Sequence, residues 1–310
     1  YALSFLQFVG LNGAAALPAG KLVGSWFRTR AGRVMGLTMM GVNFGGITLP
    51  LIVGPILASG NWQLAYQLYA IMAFVFAGAV LAFVNDPPAT ALAESAVHHS
   101  KVAAIGRRRR PPAPLSFTVR QALRTRTFYA LTLAIMLSSF THTAVLPQVA
   151  AHFSSQGVSR ATVPLVISLL SACGMAAKPI FGFLSERLGA KMAMMISLTG
   201  QSVGLAYIAL ASTTAAVWTS VALFGLFMGA HSVMIPLLTR DSFGLRNIGS
   251  IMGLITMSAV LPWAIGPVLA GLSYDIGGTY AYGFVGVAVG YVVGVMALTQ
   301  VKRMDEMERR

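Results

Sequence analysis

The sequence predicts an all-α integral membrane protein, and three observations carry that prediction. Of 310 residues, 56% are hydrophobic and only 10% are charged, with a mean hydropathy of +0.74; a soluble domain carries about 25% charged residues. The apolar residues fall into long runs, and a helix crosses a bilayer with roughly 20 of them. The basic residues gather on one set of the connections between those runs.

Nine runs have crossing length: 2–26, 34–58, 63–84, 127–151, 161–184, 192–211, 215–238, 247–273 and 279–300. Glycines and prolines inside them are compatible with helix, because neighbouring helices satisfy the freed backbone groups. An odd number of crossings puts the two termini on opposite sides. The chain has no initiator Met and opens on "YALSFLQFVGLNGAAALPAG", which reads as the continuation of a longer parent.

The net charge of +14 and pI near 10.6 raise nucleic-acid binding, but the placement of the charges excludes it. Of 22 Lys and Arg residues, 19 lie on alternate connections: Arg28 to Arg33, Lys101 to Arg126, Arg187 and Lys191, Arg240 and Arg246, and the C-terminal tail. The opposite set holds Arg160 alone, while Lys21 and Lys178 fall inside runs. By the positive-inside rule this places the C-terminus in the cytoplasm and residue 1 outside. The single cysteine, Cys173, leaves no intrachain disulfide and no reading of redox compartment.

Residues 85–126 form the one long connection. With "NDPP", "HHS" and "RRRRPPAP" and little apolar periodicity, they read as a cytoplasmic tether between two bundles. Its four consecutive arginines either hold the loop inside or meet anionic headgroups.

An internal repeat supports two bundles. Placing residue i beside i+217 matches Met35 with Met252, Gly36 with Gly253, Leu37 with Leu254, Met40 with Met257, Pro50 with Pro267, Gly54 with Gly271 and Gly60 with Gly277. Both copies follow a basic turn and run in the same direction, as parallel repeats do in two-bundle transporters. The second bundle starts near Thr127, so this offset puts the start of the first about ninety residues, or roughly three helices, before residue 1. The expected organisation is therefore 1–84 as the last three helices of a first bundle, 85–126 as the loop, 127–300 as a six-helix second bundle and 301–310 as a tail.

The stretch "GFLSERLGAK" (182–191) resembles the signature of the major facilitator superfamily, G-x-L-[SA]-[DE]-R-x-G-x-[RK], through Gly182, Leu184, Ser185, Glu186, Arg187, Gly189 and Lys191. "WFRTRAGRVMGLTMMGVNFGG" and "FGLRNIGSIMGL" resemble the family's entries into its fifth and eleventh helices, and "GPVLAGLSYDIGGTYAYGF" the end of its eleventh. The resemblance covers essentially the whole chain. It implies the superfamily fold, with about nine of twelve transmembrane helices present (helices 4–12 of two six-helix bundles). In physical terms, Gly182 permits close helix approach and Gly189 a tight turn. Glu186 is suited to a neighbouring helix N-terminus, with Arg187 and Lys191 available for ion pairs. Pseudo-symmetry makes that neighbour the helix opening at Gly32–Met35, whose flanking Arg30 and Arg33 are candidate partners of Glu186 in a cytoplasmic latch. An ordinary charged turn is the alternative.

Within the superfamily, "AAKPIFGFLSERLG" resembles the eighth helix of the monocarboxylate and oxalate–formate transporter group, where an Arg-Pro commonly precedes the glycine. Here Lys178-Pro179 keeps the positive charge. An aspartate often present four residues earlier is replaced by Gly174, which weakens an expectation of proton-coupled, lactate-type transport. The antiporter pattern G-P-x-x-G-G is only partly present at 41–46, with Val42 in place of Pro; close helix packing explains those glycines as well.

Ionisable groups inside membrane helices are costly and mark function by default. Lys178 lies about 12 Å deeper along its helix than Glu186. It either snorkels toward the cytoplasm or contacts an anion in a cavity. Lys21 reads as an interfacial anchor. His142, His231, Asn12 and Asn43 read as interhelical hydrogen-bonding groups, and the superfamily resemblance puts His142 and His231 on helices that commonly line the central cavity. All eight acids, from Asp86 to Glu308, lie in loops, helix ends or the tail, so a proton carrier would be a histidine or lie outside this chain. No metal-ligand cluster, P-loop or nucleophile–base set is present in the sequence, so neither an enzyme nor a cofactor is expected.

The expected protein is a multi-pass transporter of the cell membrane working by alternating access, monomeric, with a small organic anion such as a monocarboxylate as substrate. A proton or an exchanged anion is the possible coupling ion. Candidate substrate contacts are Lys178, His142, His231 and Asn43; candidate gating residues are Gly182, Ser185, Glu186, Arg187, Gly189, Lys191, Arg30 and Arg33. The alternatives are an exporter of amphipathic compounds, with Met and Phe giving a plastic cavity, and a non-transporting sensor signalling through loop 85–126.

Overall fold

The computed structural model of the protein describes residues 16–27, 30–58, 62–84, 116–158 and 162–302. The start of the first expected run with Asn12, most of the long loop (85–115), Arg28, Arg160 and the end of the tail lie outside the described residues.

The described residues are helical, without a strand. In chain order the helices are α1 (Ala16–Trp26), α2 (Ala31–Ala58), α3 (Trp62–Phe83), the short α4 (Val119–Ala122) and α5 (Arg126–Phe140). A π-helical turn, Thr141–Val145, joins α5 to α6 (Leu146–Ser155). There follow α7 (Val163–Leu188), α8 (Ala190–Leu210), α9 (Thr214–Met228), α10 (His231–Phe243), α11 (Ile248–Met257), α12 (Val260–Gly277) and α13 (Ala281–Thr299). Several are consecutive parts of one crossing. Among the described residues seven helical stretches are long and apolar enough to span a membrane: 63–83, 126–155, 165–188, 190–210, 214–243, 248–277 and 281–299. They coincide with the last seven expected runs. The first two runs fall on α1 and on the 28-residue α2.

The repeat has a structural counterpart. Residue 31 opens α2, and residue 248, at the same offset of 217, opens α11. The second copy is interrupted at Ser258–Ala259 between α11 and α12, whereas α2 is continuous.

The chain divides into two units, residues 44–115 and the remainder. In the smaller one, α3 is apolar all round and exposes large side chains such as Phe74, Leu81 and Phe83. Such a helix is stable in lipid or in a protein core, not at a water surface. In the larger unit, α8 packs on α13, α9 and α7, and α13 packs on α5. Glycines set the closest of these approaches: a Cβ on Gly204 would stand 2.8 Å from the backbone of Phe224. Residues 116–126, expected as part of the tether, carry α4 with a Thr118/Gln121 capping box. They are tied to the end of α10 by the Phe117 amide on the Phe243 carbonyl at 3.0 Å.

Candidate functional site

The first half of α2, up to Asn43, crosses α7, and glycine chemistry makes the crossing close. A Cβ on Gly36 would lie 2.6 Å from the Lys178 carbonyl oxygen and 3.0 Å from Cα of Pro179. Gly32 and Gly182 meet backbone to backbone one turn further along. Gly32 and Gly36 are four residues apart, so they share one face of α2, and small residues at this spacing let membrane helices touch.

Lys178 is 4% exposed at this crossing. Its Nζ donates to the Met39 carbonyl at 2.6 Å and to Asn43 Oδ1 at 2.8 Å. Met39 lies about 12 Å into α2 from Ala31, so the ammonium is held at depth and does not snorkel back. Asn43 completes the tie by donating from Nδ2 to the Ser171 carbonyl at 3.3 Å. Its amide nitrogen is also 3.4 Å from where a Cβ on Gly174 would stand. A side chain at 174 would thus meet Met228 Cε at 3.0 Å as well as this neutral amide from α2. Pro179 continues α7 without an N–H, which leaves the Met175 carbonyl without its helical donor.

His142 and His231 come together. Their rings are 5.5 Å apart, centroid to centroid, at 61°, the edge-to-face arrangement aromatic rings prefer. His142 also lies within electrostatic range of Lys178. His142 sits on the π-helical turn, whose extra residue re-phases the helix, a local feature common at functional sites. His231 opens α10, and its Nδ1 is 2.8 Å from Ser138 Oγ on α5. Lys178, Asn43, His142 and His231 are therefore contributed by α7, α2, the π turn and α10.

At the other end of the α2–α7 crossing, Arg33 Nε pairs with Glu186 Oε2 at 2.7 Å, and the Arg33 amide donates to Glu186 Oε1 at 2.9 Å. Arg33 is in the first turn of α2, so the carboxylate takes an amide that has no partner within the helix and sits at the positive end of the helix dipole. Arg33 and Arg187 both stack on Phe183, at 4.7 and 4.4 Å. Ser185 donates to the Gly182 carbonyl.

Three details differ from the sequence expectation. Arg30 is exposed and is not among the ion pairs of the described residues, because the Glu186 carboxylate is already taken up by both groups of Arg33. Lys191 likewise makes no ion pair among the described residues. It donates to the Thr299 and Val301 carbonyls at 2.9 and 2.8 Å, serving the unpartnered acceptors at the end of α13. The signature is also mostly helix. Residues up to Leu188 belong to α7, α8 starts at Ala190, and the turn is made by Gly189 at φ 84°, a backbone region that favours glycine.

The profile of the Major Facilitator Superfamily matches residues 1–156 and 130–308. The chain belongs to this superfamily. It is 20% identical over 313 residues to monocarboxylate transporter 12 of Mus musculus, covering 94% of this chain and 64% of that one. It is 25% identical over 272 residues to monocarboxylate transporter 10 of Rattus norvegicus, covering 86% and 52%. The chain thus spans about half to two-thirds of the length of these curated relatives. The crystal structure of a human organic anion transporter superposes with a TM-score of 0.59 at 14% identity, covering 91% of this chain and 67% of that one, a likeness of fold.

Sequence reasoning passed over a buried polar relay that holds the π turn within this superfamily fold. Thr141 Oγ1 donates to Gln201 Oε1 at 3.0 Å, so its contact with Tyr291 Oη at 2.6 Å uses the tyrosine's proton. Gln201 Nε2 donates to Ser197 Oγ, which donates to the Phe227 carbonyl. Each hydroxyl proton in the relay has an acceptor. On the other side of the turn, Thr143 Oγ1 donates to the Pro262 carbonyl at 2.9 Å. The signal in the sequence was Gln201, an amide in the middle of an apolar run.

Proposed function

We propose that the protein is a secondary transporter that works by alternating access and carries a small organic anion such as a monocarboxylate. The observation that carries this reading is Lys178. A buried ammonium at membrane depth is stable when a counter-charge is near, yet its recorded hydrogen-bond partners are the neutral Met39 carbonyl and Asn43 amide. Among the described residues the acids Glu186, Asp241 and Asp275 all lie within the last turn of their helices. The site therefore carries unbalanced positive charge, which an anionic substrate supplies with a partner. The monocarboxylate transporters among the relatives support this class, and an efflux pump among them supports the exporter alternative. The Arg33–Glu186 pair acts as a cytoplasmic latch that breaks when the site opens inward, with the protein in the cell membrane and its C-terminus in the cytoplasm.

Uptake of labelled monocarboxylates by the full-length protein in proteoliposomes tests this. Saturable uptake is expected, retained in part by Lys178→Arg and reduced at least about ten-fold by Lys178→Ala, as for loss of a charged hydrogen-bonding group. Normal uptake by the alanine variant rejects the lysine as the anion contact. Flux of hydrophobic cations alone rejects the anion class, and saturable binding without flux supports the sensor reading instead.

A further inference from the structure

His231 touches Ser138, and the protons around Ser138 determine what His231 offers a ligand. Ser138 is fully buried in α5. Its Oγ lies 2.9 Å from the Ile135 carbonyl and 2.8 Å from His231 Nδ1. Its single proton can serve one of the two. The Ile135 carbonyl is already used. Ser139 Oγ donates to it at 2.8 Å, and inside α5 the Ser139 amide donates to it as well. Those two donors fill the two lone pairs of a carbonyl oxygen. The Ser138 hydroxyl therefore points to His231 Nδ1, and the imidazole hydrogen is left on Nε2.

His231 is half-buried, and among the described residues no hydrogen bond is shown to its Nε2. The buried side-chain atoms without a partner among the described residues are Thr132 Oγ1 and His152 Nδ1, and His231 Nε2 is not one of them. We infer that Ser138 holds His231 as the Nε2–H tautomer, making His231 a second hydrogen-bond donor to the substrate's carboxylate in addition to Lys178, with Ser138 as the positioning residue. This rests on the anion reading above and narrows it to anions with acceptor oxygens for more than one donor. The opposite tautomer would aim a lone pair at the carboxylate and repel it.

Nitrogen NMR of the full-length protein labelled with ¹⁵N-histidine, in lipid nanodiscs, reads the tautomer directly, with His231→Gln assigning the signal. Wild type is expected to show a protonated Nε2 and an unprotonated Nδ1 at His231. Ser138→Ala is expected to give a mixture and to raise KM for a monocarboxylate about ten-fold with kcat little changed, as for a lost charged hydrogen bond. Ser138→Thr is expected to restore both readouts. A wild-type spectrum with the proton on Nδ1 overturns the inference without any variant having to fold. So does an unchanged tautomer in Ser138→Ala. The expected tautomer with no carboxylate flux at all overturns the anion reading, and with it the substrate half of this inference.

Discussion

Two cationic side chains cross the contact between α2 and α7 in opposite directions. Arg33 reaches from α2 to Glu186 on α7; Lys178 reaches from α7 to Met39 and Asn43 on α2. The first cation meets a carboxylate, with the two side chains 49% and 15% exposed. The second is buried and meets neutral oxygen atoms. Exposed ion pairs contribute at most about 1 kcal/mol, and here the Arg33 amide adds a hydrogen bond to the same carboxylate. The Lys178 end presents an ammonium whose hydrogen-bond partners among the described residues are neutral. The same pair of helices thus carries an ion pair at one end and an ammonium held by neutral oxygens at the other. On the function proposed above, a substrate that draws Lys178 away from Asn43 would loosen this crossing.

The largest expected effect comes from wedging the two helices apart between these points. Gly36→Ala puts a Cβ against the Lys178 carbonyl and the Pro179 backbone, neither of which is a flexible side-chain end. Overpacking of this kind costs about 1–3 kcal/mol, and here it also separates Lys178 from Met39 and Asn43. Uptake is expected to fall to background, with a lower melting temperature in detergent. Gly41→Ala on the same helix meets nothing within 4 Å among the described residues and serves as the control. Equal behaviour of the two variants would show that the close approach does not matter.

Next is Asn43→Asp, which turns the Lys178 end into a copy of the Arg33 end. The change is nearly isosteric and gives the ammonium a carboxylate of its own. Anion uptake is expected to drop at least about ten-fold, while Asn43→Ala, which removes one charged hydrogen bond, loses less. Uptake by Asn43→Asp above that of Asn43→Ala would mean that the positive charge is not what the substrate uses.

The two ends also differ in how much of them was legible in the sequence. Glu186 and its glycines stood in a strict pattern, and the repeat pointed to the helix carrying Arg33. The choice of Arg33 over Arg30 depended on Arg33 being in the first turn, where its amide and guanidinium reach one carboxylate together. At the deep end the identities of Lys178, Asn43 and the two histidines were readable, but not their company. Lys178 is held by a backbone carbonyl, which has no residue-type signature. The face each helix turns inward was hidden because lipid-facing and core-facing positions are equally apolar here. The π turn that carries His142 toward His231 breaks the 3.6-residue period on which any reading of faces depends. Membrane crossings, by contrast, were plain, because they depend on the length of apolar runs and not on their phase.

A smaller effect is expected at the exposed end. Glu186→Gln removes the charge but leaves an oxygen for the Arg33 amide. A loss of about 1 kcal/mol shifts a two-state balance roughly five-fold. Cysteine labelling from each side of the membrane should show that shift toward the inward-open form, with KM for the anion unchanged. A labelling pattern identical to wild type would reject the latch. An altered KM would mean that the two ends of the crossing are not separable.

The smallest effect is expected from Lys191, which belongs to the same signature as Glu186 but to neither end of the crossing. Its ammonium serves two carbonyls at the end of α13, a cation at a helix C-terminus that contributes about 0.3–1 kcal/mol. Lys191→Ala should lower the melting temperature slightly and leave both the labelling pattern and KM where they were. Lys191→Gln, which keeps a donor without the charge, should recover part of the stability. If Lys191→Ala instead moved the inward–outward balance as far as Glu186→Gln, the signature would act as one charged unit, and the assignment of the latch to Arg33 and Glu186 alone would fail.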